Sequence, residues 1–301
     1  MAAIVGAMLL LNRQTAGMFE NMLLFILPLP MVFYGTKYGL KDSWMLFAAI
    51  ILLSFIVSTP QTLLLVAAES MIGMSYGCGV HNGTSTRTLV FRTVILAVIT
   101  DIFTMLVFAS FFGYDLVTEV TEYETLITEA MAQSGQTLSD TVDLTSLIRN
   151  ILIVSTILTG VMEGLITHFL SRIVLKRMRF PAPKQISLSE YFPPKWTGYA
   201  GIAGMVAYFY SVSKPLENEI AQSFLQGGGM LGVFYLAFYG VIALMVIITL
   251  RNPRRKGMAV LLAVVSLLMF SPVMAVAGYL YITTDLHARV LEGVRNASQN
   301  R

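Results

Sequence analysis

The chain has 301 residues, of which 56% are hydrophobic and 12% charged, about half the charged share of a soluble domain at ~25%. With a mean hydropathy of +0.72, an ordinary soluble domain is excluded. The net charge is only +3, and a single cysteine, Cys78, leaves no disulfide framework and no cysteine-rich metal site.

Apolar runs at 2–12, 18–36, 43–59, 61–77, 92–113, 147–171, 198–213, 227–250 and 258–283 predict nine membrane-spanning helices. The fold class is therefore all-α, a polytopic transmembrane helical bundle. The first run lacks a basic n-region and a cleavage site, so no removable signal peptide is expected.

The second run breaks at Leu27-Pro28-Leu29-Pro30 and ends in Tyr34-Gly35-Thr36-Lys37-Tyr38-Gly39-Leu40-Lys41. Each proline removes a backbone donor, and the residue before it is pushed from helical geometry. Pro28 to Tyr38 is about 16 Å of helix at 1.5 Å per residue, so the break falls at membrane depth. It is either a cavity wall and lid hinge or a kink packed against its neighbours. Gly35 and Gly39 form a small-xxx-small face for close helix approach, and the turn leads directly into the third run. Pro28, Pro30, Gly35 and Gly39 are thus structural candidates.

Charge sets the orientation. The segment 114–145 carries Asp115, Glu119, Glu122, Glu124, Glu129, Asp140 and Asp143 and no Lys or Arg. The segment 172–197 carries six basic residues against Glu190, and Arg251, Arg254, Arg255 and Lys256 form a second basic loop. Basic loops favour the cytoplasm, so 114–145 is expected outside and both basic loops inside. Nine spans then place the C-terminal tail outside. Tyr123, Leu126, Ile127 and Ala130 keep helical spacing within the acidic segment, which predicts an amphipathic helix capping the outer mouth or a solvated linker. Pro181, Pro183, Pro193 and Pro194 make the basic segment a semi-rigid connector. Tyr191, Phe192, Trp196 and Tyr199 read as an interfacial belt, and Gly227-Gly228-Gly229 as the flexible beginning of a span.

Three carboxylates lie inside apolar runs: Glu69, Asp101 and Glu163. Intramembrane ionisable residues point to function. The three fall within about 5 Å of one depth at 1.5 Å per residue. No Lys or Arg occurs between Lys41 and Arg87 or between Arg92 and Arg149. One reading is a polar cavity for a cation, a proton or an amine-bearing solute. The other is that each carboxyl bonds a nearby hydroxyl or carbonyl, with Thr100 and Thr104 beside Asp101, and Thr159 and Thr167 beside Glu163. His168 reads as a snorkelling or hydrogen-bonded residue. No phosphate loop and no HExxH zinc motif is present. The chain is expected not to be an enzyme and to use no cofactor, no metal and no nucleic-acid partner.

A proline-bearing second helix, the tandem Tyr-Gly-x-Lys repeat and an immediate third helix resemble the YybS-like family of bacterial multi-pass membrane proteins, a domain of unknown function. That family is similar to the S-components of energy-coupling-factor (ECF) transporters and to the rod-shape protein MreD. The S-component resemblance covers residues 1 to about 177. It implies six helices, a solute bound from outside, and a first helix whose Ala-x-x-x-Ala face, here Ala3 and Ala7, docks on a coupling subunit. It divides the chain into a six-span unit at 1–177, a connector at 178–197, a three-span unit at 198–283 and a polar tail at 284–301. The expected function is an ECF S-component-like solute-binding subunit in the bacterial cytoplasmic membrane. Glu69, Asp101 and Glu163 line its site, and partner subunits move the solute. The alternative is an MreD-like scaffold without transport.

Overall fold

The computed structural model describes residues 1–112, 116–134, 144–184, 192–214, 216 and 218–251, and beyond them 257, 261–263, 265–266, 271–284, 286–289 and 292. The expected basic residues 254–256, the acidic residues Asp115, Asp140 and Asp143, Tyr191 and most of the tail lie outside the described residues. Among the described residues there are helices and no strands. In chain order they are α1 (Ala2–Gln14), α2 (Glu20–Ile26), α3 (Pro28–Val57), α4 (Pro60–His81), α5 (Thr86–Phe112), α6 (Leu116–Gln133), α7 (Leu144–Arg177), α8 (Lys195–Ser213), α9 (Glu219–Arg251) and α10 (Ser271–Thr283).

The chain forms two compact units, Met1–Thr118 with Ser155–Gln185 and Glu119–Val154 with Ile186–Arg301. This differs from the expected division at 177. Polar side chains near the start of α7 are satisfied within the second unit, where buried Asn150 donates to Gln226 at 2.7 Å and Arg149 donates to Ser223 at 3.2 Å. The apolar helix α7 therefore contributes to both units.

In the first unit α3 is not a straight rod. Gly39 has φ 77° and ψ −169°, a region open essentially to glycine alone, and the ring of His81 packs against it. The leg before Gly39 runs alongside α4 in the same direction: Pro28 lies against Gly73, Val32 against Gly77 and Gly39 against His81. Glu20, just upstream, accepts a hydrogen bond from Thr62 at 3.1 Å. The second leg must return to Pro60, where α4 begins, so it runs antiparallel to α4. Arg13 at the end of α1 donates to the Val57 carbonyl at 3.1 Å, and Gly6 packs on Leu53. The turn predicted between the second and third runs is thus made at Gly39. The apolar side chains of Val5, Leu9, Leu27, Met31, Ile50 and Val66 fill the space between these legs.

The proline break takes the packed form. Leu27 has φ −58° and ψ −35°, helical geometry that its place before Pro28 does not favour. Leu27 is fully buried, and a Cβ at Gly73 would collide with the Pro28 carbonyl. Tertiary packing holds Leu27 in helical geometry against its local preference, so the break is packed against α4.

In the second unit α8 and α9 are antiparallel. Tyr235 donates to Thr197 at 2.7 Å near one end, and Gln222 donates to the Ser211 carbonyl at 2.9 Å near the other. The triple glycine is not the beginning of a helix, because α9 starts at Glu219. Gly229 packs against the backbone of Gly204 and Tyr208, so it permits close helix approach. Leu236, Ala237, Ala275, Tyr281 and Ile282 form the core between α9 and α10.

Among the described residues five helices are long and apolar enough to cross a bilayer: Met22–Val57, Pro60–His81, Thr86–Phe108, Leu144–Arg177 and Glu219–Ile248. The first of these contains both legs around Gly39. The expected span at 2–12 is a helix of 13 residues, about 20 Å, short of the ~30 Å hydrocarbon core. The expected span at 198–213 is helical as α8 but is not among the five; of the expected 258–283 span, α10 covers Ser271–Thr283, and residues 258–260, 264 and 267–270 lie outside the described residues.

Candidate functional site

The three intramembrane carboxylates come from three helices of the first unit: Glu69 from α4, Asp101 from α5 and Glu163 from α7. α4 is started by Thr59, whose side chain accepts from the Thr62 amide at 3.2 Å, with Pro60 at the first helical position. Small residues bring α7 onto α5. A Cβ at Gly160 would fall 2.7 Å from Val98 Cα and 3.0 Å from Asp101 Oδ2, and one at Gly164 would fall 2.6 Å from Val94 Cα. That approach places Glu163 between the other two acids.

Glu163 is within hydrogen-bonding reach of both Glu69 and Asp101. Glu69 and Glu163 are each 1% exposed, and Asp101 is half-buried. Glu69 Oε2, Asp101 Oδ2 and both Glu163 oxygens receive no donor from the described residues. An ionised carboxylate accepts only. Two carboxyl oxygens therefore share a hydrogen bond only with a proton between them, and three full charges cannot coexist at such range. The cluster has to hold protons or a cation.

Two of the threonines offered as alternative partners do not bond the acids. Thr100 donates back to the Leu96 and Ala97 carbonyls, both at 2.9 Å, and Thr167 Oγ1 has no partner. The acids meet one another. His168 is hydrogen-bonded, as one reading of the sequence had it: its Nδ1 meets the Tyr76 hydroxyl at 2.9 Å. Arg172 lies within electrostatic range of both rings.

The remaining candidates lie elsewhere. Ala3 and Ala7 are on the exposed face of α1, while Gly6 beside them is buried. Pro28, Pro30, Gly35 and Gly39 are all buried between α3 and α4. Residues passed over in the sequence are Ser70 and Ser171, each fully buried with an unpartnered hydroxyl, as is Thr167, which the sequence offered only as a partner for Glu163. Their signal was the spacing of Glu163, Thr167 and Ser171, which places the three on one face of a helix.

Residues 3–226 match the family described as predicted membrane protein (DUF2232). The chain belongs to that family. The match runs through all three acids of the cluster and ends within α9, so the carboxyl cluster is contained in the DUF2232 region. Among curated proteins nothing matches the chain, and no solved structure matches it.

Proposed function

We propose that the first unit is an S-component-like membrane subunit that binds a small solute carrying a positive charge, with Glu69, Asp101 and Glu163 as its recognition site. One observation carries this reading: three acids from three helices converge with unpartnered oxygens, and each lies within an apolar run with no Lys or Arg inside the same turn of helix. A cationic group such as a primary amine offers several donors and a positive charge. It would satisfy oxygens that otherwise depend on bound protons.

The chain carries no energy-coupling motif, so the reading requires partner subunits. The exposed Ala3 and Ala7 face of α1 supports a helix-docking role, because small residues allow backbones to approach closely. The bacterial cytoplasmic membrane is the compartment this reading implies.

The test is native mass spectrometry of the purified protein, followed by thermal-shift measurements against a panel of amines. Binding should raise the melting temperature of the wild-type protein and not that of Glu163→Gln. A panel that stabilises both equally, or neither, leaves the scaffold reading in its place.

A further inference from the structure

On α7 the hydroxyls of Thr167 and Ser171 follow Glu163 at successive turns, and on α4 Ser70 adjoins Glu69. All three are fully buried and unpartnered. Buried hydroxyls in apolar helices ordinarily donate to the carbonyl four residues back. Thr93 does so to Leu89 at 2.8 Å, Ser54 to Ile50 at 2.8 Å and Ser43 to Gly39 at 2.6 Å. Ser70, Thr167 and Ser171 do not, so their hydrogen-bonding capacity is directed away from their own backbones. Buried polar groups without protein partners are the sites at which internal water is held.

These groups continue in one direction. Tyr76 lies seven residues after Glu69 on the same face of α4, and it meets His168 of α7, with Arg172 beyond. From Glu69 to Tyr76 the rise is about 10 Å, with polar groups at each turn of the facing helix. In the other direction α7 is closed against α5, with Gly160 on the Val98 backbone one turn before Glu163, and Val66, one turn before Glu69, lies in the apolar core that α4 shares with α1 and α3.

We propose that the α4–α7 seam is a hydrated path that passes protons between the carboxyl cluster and the end of α7 bearing Arg172, and that it opens to that side alone. This rests on the reading of the cluster as a cation site. When a cationic solute leaves, a carboxylate oxygen is left charged in a low-dielectric site. One proton from hydronium at the Arg172 end, which returns to water, is delivered along water held by the hydroxyls of Ser171 and Thr167 and forms the O–H bond that restores neutrality. Charge balances as one cation out and one proton in. The solute need not share the proton's route. The other titratable groups along this stretch are Tyr76 of α4 and His168 and Arg172 of α7; Cys78 of α4 faces α3, where its thiol meets Ser43, and Arg92 of α5 is exposed.

The test uses the full chain with Cys78→Ala, which removes its one native cysteine. Ser171→Cys, Thr167→Cys and Phe169→Cys are made in that background. They are exposed to a charged, membrane-impermeant methanethiosulfonate in right-side-out and inverted vesicles. Ser171→Cys and Thr167→Cys should react at least tenfold faster than Phe169→Cys, whose native side chain is 60% exposed on the helix exterior. Reaction should occur only from the side on which Lys184→Cys reacts. A second measurement needs no variant. In wild-type proteoliposomes, a pH jump on the Lys184 side should change the infrared carboxyl band at least tenfold faster than a jump on the opposite side. Equal rates from both sides, or silence of both seam cysteines, overturns the path. Absence of amine stabilisation overturns the solute reading instead and leaves these rates unchanged.

Discussion

At the residue scale, Glu163 is the member on which the cluster depends, since it alone reaches both other acids. A glutamine there keeps the shape and adds two N–H donors for Glu69 and Asp101. Glu163→Gln is expected to melt close to wild type in detergent. Glu163→Ala leaves buried oxygens of Glu69 without any partner, a cost of about 1–3 kcal/mol, and should melt measurably lower. If Ala and Gln behave alike, the carboxyl contacts contribute nothing. The acids were legible in the sequence because charged residues stand out in apolar runs, and their common depth followed from residue counting. The hydroxyls were not, because Ser and Thr are ordinary in membrane helices. Only the absence of back-bonding by Thr167 and Ser171 separates them from Thr93 and Ser54, and that depends on rotamers. The His168–Tyr76 pair was half visible: the need for a partner could be read, its identity on another helix could not.

At the scale of elements, the reversal at Gly39 was legible because glycine and lysine close a short apolar run. The fate of the proline break was not, because local preference and packing opposed each other at Leu27. Packing prevailed: buried Leu27 and the contact of Pro28 on Gly73 hold the kink shut. Gly73→Val should therefore be severe, since its side chain would enter the Pro28 backbone. Overpacking of this kind costs about 1–3 kcal/mol or more, read as a lowered melting temperature. Pro28→Ala should be mild, because Leu27 is already helical. α1 offers a sharper contrast. Ala3→Leu with Ala7→Leu enlarges an exposed face and should shift stability by no more than about 0.5 kcal/mol. Gly6→Leu meets Leu53 at 2.7 Å from the first added carbon and should destabilise. Should the double alanine change lower the melting point as far as Gly6→Leu, that face is not free to receive a partner helix.

At the scale of the whole molecule, alternating hydropathy suggested nine crossings, and strict alternation places the connector before α8 and the tail after α10 on opposite sides. Within the second unit the two are in contact. The Phe192 ring stacks on His287 with centroids 4.5 Å apart and planes 19° apart, and Tyr281 donates or accepts at His287 Nδ1 at 2.6 Å. Gly198 at the start of α8 packs on Ile282 and Thr283 at the end of α10. A hydrocarbon core of ~30 Å cannot separate rings in van der Waals contact. The three helices α8, α9 and α10 therefore cannot each cross in full. α8 is not among the described helices apolar enough to span. Sequence reading missed this because it counts apolar runs and cannot see which ends of non-adjacent helices meet. The prediction is one of sidedness, made with single cysteines in a Cys78→Ala background and an impermeant maleimide. Lys195→Cys and Ala288→Cys should be labelled from the same side of the membrane. Ser134→Cys, separated from Lys195 by the 34-residue α7, should be labelled from the other side, the outside in the orientation set by the basic loops. Labelling of Ala288→Cys together with Ser134→Cys would restore nine full crossings and break the contact between Phe192 and His287.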